Sequence, residues 1–344
     1  MAKVLKRKSV PVFVVLLIVI GVFVLAGLSK GQRNTLIVKK VATGAVLDGV
    51  AEALWDQAQP LTFKVVAGQN LPGRSTEVTL RALRTADMAH FLLQYKVPTE
   101  SVRRSPWQRQ ADGSWKKLID PDDKGGDNNV SYEDKFVILW NINSPSFDKK
   151  GCASACHVGE GKPYGNKYTK EDGARLDLWH WKGVRTGTVG QIDDHYVDST
   201  KYDKDKFPEA GRKSDPKTGG GYVDNVSDDK KGPKFALKGN TPAPPYWILD
   251  SEKELLDNSK YNAADEVPGI IVAPFAGDRG DFAAKYTYKD DLRTVEFSRK
   301  LVTGSEFDVQ FSDMKEEYSF GVAVFDNAQV RHALTADVLK MKFE

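Results

Sequence analysis

Between Asp134 and Asn143 the chain reads Asp-Lys-Phe-Val-Ile-Leu-Trp-Asn-Ile-Asn, apolar at odd and even positions alike. Successive side chains of a strand point to opposite faces, so a run apolar on both predicts a central strand covered on both sides. A central strand needs neighbours, and the sequence offers many. Pro60–Val66, Glu77–Leu83 and His90–Val97 precede it. Gly269–Ala273, Ala283–Lys289, Leu292–Leu301, Glu306–Phe311, Tyr318–Asp326 and Ala336–Phe343 follow it. Several alternate apolar and polar residues with a period of two, most cleanly Val78, Leu80 and Ala82 against Thr79 and Arg81. Amphipathic helical spacing is scarce. These runs predict an all-β domain, a two-sheet antiparallel β-sandwich with long irregular insertions.

The sandwich is expected to span residues 41–344 as one unit, since all-β domains run to about 200–250 residues or more. Residues 187–262 differ from the rest. Asp, Lys, Gly and Asn dominate the first fifty, and the stretch reads as an irregular surface excursion. His195 within it is expected to be exposed. The net charge of +3 comes from mixed signs without a concentrated basic face, which excludes a nucleic-acid partner. No paired carboxylates, nucleophile–base set or phosphate-binding loop stands out, so catalysis by this chain alone is not expected.

The central strand delivers the chain into Gly151-Cys152-Ala153-Ser154-Ala155-Cys156-His157, which holds both cysteines of the protein and a histidine directly after the second. Two chemistries suit it. Two thiols can add to haem vinyl groups while the adjacent imidazole binds the iron, or the thiols can form a local disulfide. The usual attachment spacing is C-x-x-C-H, and here three residues separate the cysteines. A closed zinc site would need four ligands, and no second Cys/His pair is near.

The N-terminus bears on the compartment. Lys3, Lys6, Arg7 and Lys8 precede an almost purely apolar stretch from Val10 to Leu28. At ~1.5 Å per residue, such a stretch just crosses a ~30 Å hydrocarbon core. It exceeds the apolar part of a signal peptide, although Val24-Leu25-Ala26-Gly27 leaves cleavage open. Residues 1–9 are expected in the cytoplasm, 10–28 as a transmembrane helix and 29–40 as a tether. The positive flank places the remainder on the periplasmic side of a bacterial inner membrane.

After the cysteine loop comes Asp177-Leu178-Trp179-His180-Trp181-Lys182-Gly183-Val184-Arg185. In a strand, Trp179 and Trp181 share one face and His180 and Lys182 the other. One of these side chains could ligate iron while Lys182 and Arg185 pair with haem propionates. The competing reading is a plain strand with two core tryptophans.

Taken together, Phe91–Trp107, Asp112–Trp115, Tyr132–Ile142, the cysteine loop, Asp177–Gly190 and Tyr318–Leu334 resemble the haem-binding domain of ethylbenzene dehydrogenase gamma subunits and their relatives. The resemblance implies a β-sandwich carrying one electron-transferring haem. In the better-known members it is the cytochrome subunit of a molybdenum enzyme of the dimethyl sulfoxide reductase superfamily. Those subunits hold a non-covalent b-type haem through methionine and lysine. This chain departs from them in its attachment loop and N-terminal anchor, and so resembles a c-type branch.

The expected site therefore joins one haem c to Cys152 and Cys156, with His157 as the proximal iron ligand and His180 as the distal one. His90, Met88 and Lys182 are the alternatives for the distal position, and Trp179, Lys182 and Arg185 are expected at the cofactor. A His/Met pair would raise the potential relative to two imidazoles. His332 is expected to be structural or exposed. The function so read is a membrane-anchored periplasmic monohaem cytochrome passing single electrons between redox partner proteins. Its alternatives are the electron-transfer subunit of a multi-subunit molybdenum oxidoreductase and a non-haem binding module with a Cys152–Cys156 disulfide.

Overall fold

The computed structural model describes residues 34–119, 131–155 and 167–344. The expected anchor at 10–28, together with Cys156 and His157, lies outside the described residues. Among those described, no helix is long and apolar enough to cross a membrane.

Thirteen strands form one hydrogen-bonded sheet. In chain order they are β1 (Thr35–Lys40), β2 (Leu61–Val66), β3 (Ser75–Arg84), β4 (Met88–Lys96), β5 (Lys135–Asn141), β6 (Leu176–Lys182), β7 (Asp193–Val197), β8 (Arg212–Ser214), β9 (Ala283–Lys289), β10 (Leu292–Lys300), β11 (Tyr318–Phe325), β12 (Ala333–Thr335) and β13 (Leu339–Phe343). The spatial order is β8-β7-β6-β5-β11-β12-β2-β3-β4-β10-β9. A second link runs from β11 through β13 and β1 to β3. Every pairing in this sheet is antiparallel except the two made by β1. The expected tether therefore ends before Thr35, where the chain already enters the sheet.

The two halves of the sheet fold onto each other. Phe91 of β4 meets Trp179 of β6 with ring centroids 5.5 Å apart and Trp140 of β5 at 6.3 Å, although β4 is hydrogen-bonded to neither strand. Phe297 of β10 and Phe136 of β5 meet at 5.8 Å. Leu36, Val78, Leu80, Ile138, Val322 and Met341 complete this interior, all fully buried. The expected sandwich thus has two layers, built from one continuous sheet rather than two separate ones.

The period-two pattern located most of the strands, and Asp134–Asn143 supplies β5, central between β6 and β11. Glu306–Phe311 alternates as well yet forms no strand. Its backbone donors are claimed by other acceptors: Val309 N donates to Asp177 Oδ2 (2.9 Å) and Phe311 N to Leu301 O (2.8 Å). The 187–262 stretch is less irregular than its composition suggests. It contributes β7 and β8 to the sheet, and Gly219–Asp224 and Ile248–Leu249 pair with Ile270–Ala276 in a smaller one.

Candidate functional site

The outward face of β5, β6 and β11 forms the floor of the site. Cross-strand register lays Leu178, Leu139 and Gly321 in one row, His180, Val137 and Ala323 in the next, and Lys182, Lys135 and Phe325 in a third. Above this floor passes the chain leaving β5. Helix α1 (Pro145–Lys150) ends at Gly151, whose φ of +56° suits glycine and turns the chain back over the sheet. Cys152 follows, buried with Leu139, Phe147, Ala155, Leu176, Leu178 and Val197. Its sulfur sits so close over β11 that any Cβ at Gly321 would collide with Cys152 Sγ.

Beside Cys152 opens a small cavity of about 60 Å³. Its walls are mostly apolar, from Val137, Leu139, Leu178, Ala323, Phe325 and Leu334, and His180, His332, Lys167 and Arg212 also reach it. His180 stacks on Phe325 at 6.0 Å, and His332 meets the same ring at 4.6 Å. Neither ring nitrogen of His180 has a hydrogen-bond partner among the described residues, although the side chain is buried. Burial, with the positive charge of Lys182, Lys135 and Arg185 behind it, pushes the His180 pKa well below the ordinary imidazole value. A neutral imidazole beside an apolar cavity keeps one ring nitrogen whose lone pair could bind a metal.

A scan of family models matches residues 52–335 to the family described as ethylbenzene dehydrogenase. The chain belongs to this family. No curated protein matches it. Among solved structures, a carbohydrate binding module family 9 protein from Caldicellulosiruptor kristjanssonii in complex with glucose aligns at 9% identity and TM-score 0.34, covering 90% of this chain and 95% of that one. The same module in complex with cellotriose aligns at 9% identity and TM-score 0.33, covering 90% of this chain and 93% of that one.

In this member of the ethylbenzene dehydrogenase family the expected cofactor residues separate. His180 and Cys152 share the cavity. Trp179 lies on the opposite face of β6, inside the sandwich, where its Nε1 donates to Asp177 Oδ2 at 2.9 Å. That follows from the strand alternation itself, which cannot bring Trp179 and His180 to one side. Lys182 shares the face of His180 but is engaged. Its Nζ donates to Asp193 and to the Tyr222 hydroxyl (3.2 Å) and meets His195 Nε2 at 3.2 Å. Arg185 is likewise engaged: its Nε donates to the buried Glu133, whose other oxygen accepts from Val184 N and Arg185 N at 2.8 and 2.9 Å. Burial raises the Glu133 pKa, but Arg185 and Arg104 outweigh it and hold the carboxyl below its usual range. Both cations are therefore neutralised by buried carboxylates.

His90 and Met88 belong to β4, in the other layer, and neither lines the cavity. His195, expected at the surface, is buried between Lys182 and Asp193, and burial drives its pKa down to about 3. His332 and Arg212 are cavity residues that sequence reasoning passed over. His332 stands in a turn and Arg212 in a polar stretch, so no period or motif marks either one.

Proposed function

We propose that this chain is a membrane-anchored, periplasmic electron-transfer protein that carries one haem c. Cys152 and Cys156 are its attachment thiols, His157 its proximal ligand and His180 its distal ligand. The observation that carries the reading is His180: buried, neutral, without a hydrogen-bond partner among the described residues and beside an apolar cavity that also receives Cys152. A haem held there supplies a one-electron iron couple. The chain's own residues do the rest. Val137, Leu139, Leu178, Ala323 and Leu334 exclude water from the iron's surroundings, which helps to set the potential. Arg212, which reaches the cavity and among the described residues pairs only with the exposed Glu209 at 3.3 Å, would be the cation for a propionate, whereas Lys182 and Arg185 are held by buried carboxylates. Membership of the ethylbenzene dehydrogenase family favours a role as subunit of an oxidoreductase complex, with a molybdenum enzyme or another cytochrome as partner.

The test is the full-length protein made with haem-maturation machinery. Pyridine haemochrome absorbance and the mass of the mature chain are expected to show one covalent haem. His180→Ala should keep the haem but convert its low-spin spectrum to a high-spin one, and His90→Ala should leave the spectrum unchanged. Co-purification of a molybdenum-containing subunit would identify the complex. A colourless protein with Cys152 and Cys156 joined as a disulfide overturns the proposal.

A further inference from the structure

On the inward side of β6 and β7, at the edge of the sandwich interior, stands a cluster that the electron-transfer reading does not use. Asp177, Asp194 and Asp308 each place one carboxylate oxygen within 4.8 Å of the others, and all three are buried. They come from three separate parts of the chain: β6, β7 and the irregular 301–317 stretch.

Each of the three carboxylates is held by protein donors through one oxygen only. Asp177 Oδ2 accepts from Trp179 Nε1 (2.9 Å), Val309 N (2.9 Å) and Arg299 Nη1 (3.1 Å). Asp308 Oδ2 accepts from Thr303 Oγ1 at 2.6 Å. Asp194 Oδ1 accepts from His195 N at 3.1 Å. The remaining oxygens, Asp177 Oδ1, Asp308 Oδ1 and Asp194 Oδ2, are buried with no donor among the described residues. So are both oxygens of Asp215 and both of Asp281, which stand in the same field of charge. A buried carboxylate oxygen without a donor is costly, and natural folds leave few of them. Here seven belong to one cluster, while Arg299 is the one cation bonded to it.

We infer that Asp177, Asp194 and Asp308, supported by Asp215 and Asp281, form a calcium-binding site. The chemistry selects the ion. An all-oxygen, all-carboxylate set suits a hard cation and not a transition metal, which would draw on imidazole or thiolate. His195 points to the other face of β7, toward Lys182. Oxygens on opposite sides of Ca²⁺ stand about 4.6–5.2 Å apart, from metal–oxygen distances of 2.3–2.6 Å. Three oxygens that all lie within 4.8 Å of one another fit inside that span. Mg²⁺ would hold a tighter octahedron and keep several waters, whereas a set rich in carboxylates suits the six to eight oxygen ligands of Ca²⁺. Access is present, because an open cavity lined by Asp281, Thr303, Ser305 and Asp308 leads from solvent to the cluster.

Charge behaviour agrees with the geometry. Burial first, and then mutual repulsion, raises the Asp194 pKa well above the carboxylate range and that of Asp215 to about 9. Burial and the neighbouring Asp308 also raise Asp177 and Asp281 to about 7, against the opposing pull of Arg299. A divalent cation removes that repulsion. It would also fasten β7 to the 301–317 stretch and to the turn before β9, adding to the Tyr196–Phe307 stack and the Asp193–Arg279 ion pair that already join them.

The experiment uses the purified full-length chain. Tb³⁺, a luminescent stand-in for Ca²⁺, should emit on excitation of tryptophan, since the Trp179 indole donates to a ligand carboxylate. Added Ca²⁺ should quench that emission and raise the Tm relative to chelator-treated protein. Asp194→Asn and Asp215→Asn should lose both the emission and the Ca²⁺-dependent rise in Tm. If one variant fails to fold, the other and the calcium content of the dialysed wild type decide the matter. Absence of sensitised emission, of a Ca²⁺-dependent Tm change at millimolar concentration and of bound calcium overturns the site. The result stands apart from the haem reading, since colour and calcium are read separately.

Discussion

The two outward faces of the folded sheet each bury a histidine without a hydrogen-bond partner among the described residues, and they treat it in opposite ways. On β4, His90 lies beneath the segment before β2, packed so tightly that a Cβ at Gly44 would collide with its ring. Glu296 fastens that segment by accepting from Trp55 Nε1 (2.7 Å), Gly49 N (2.7 Å) and Asp48 N (3.0 Å). On β6, His180 faces a cavity that Cys152 shares, and its flank is held by the charged network around Asp193. The lesson is that an unpartnered imidazole is not by itself a ligand site. Space beside it is needed as well, and among the described residues His180 lines a cavity while His90 is packed against Gly44.

Three experiments sharpen or break the contrast. The largest effect is expected at Asp193, where a buried carboxylate meets Lys182, His195 (3.0 Å) and Arg279 (2.5 Å). Burial alone would raise its pKa, but His195, Lys182 and Arg279 hold it well below the usual carboxylate range. Asp193→Asn leaves Lys182 and Arg279 as uncompensated buried cations and should destabilise the fold by about 3–5 kcal/mol in urea unfolding. A change below 1 kcal/mol would show that this flank is not held electrostatically.

Next in size is Glu296→Ala on the opposite face. It strips three donors of their acceptor and should cost about 2–3 kcal/mol. Amide exchange should rise at Asp48 and Gly49, while the cavity beside Cys152 keeps its properties. A disturbed haem spectrum in this variant would mean that the two faces are coupled.

The smallest effect separates the histidines by pH. Burial lowers the pKa of His180 well below 6.5, and it lowers that of His90 less, against an opposing pull from Asp87. Below 6.5 the unfolded chain binds the proton that the folded chain refuses, so each histidine lowers stability as pH falls. In haem-free protein, wild type should therefore lose stability relative to His180→Leu between pH 7 and 5. The loss relative to His90→Leu should be shallower. Equal slopes, followed by urea midpoints, would erase the distinction between the faces.

Much of this was legible in the residues. Alternation in Glu77–Leu83 and the doubly apolar Asp134–Asn143 run identified strands and their order of burial, because side-chain direction along a strand is a local property. The split of Trp179 and Trp181 from His180 and Lys182 followed from the same rule. Pairing at a distance was not legible. Lys182 and Arg185 look like cofactor cations until Asp193 and Glu133 arrive to neutralise them. Glu306–Phe311 looks like a strand until Asp177, across 132 residues, claims the Val309 amide.

What the sequence alone determined is therefore the β architecture, the face on which each strand residue lies, and the cysteine pair with its adjacent histidine. What only the tertiary structure decided is which imidazole keeps open space beside it and which charges already have partners. It also decided which aspartates converge. Periodicity acts through neighbours in the chain, whereas cavities, ion pairs and carboxylate clusters are assembled from separate elements, 11 residues apart for Lys182 and Asp193 and 132 for Asp177 and Val309.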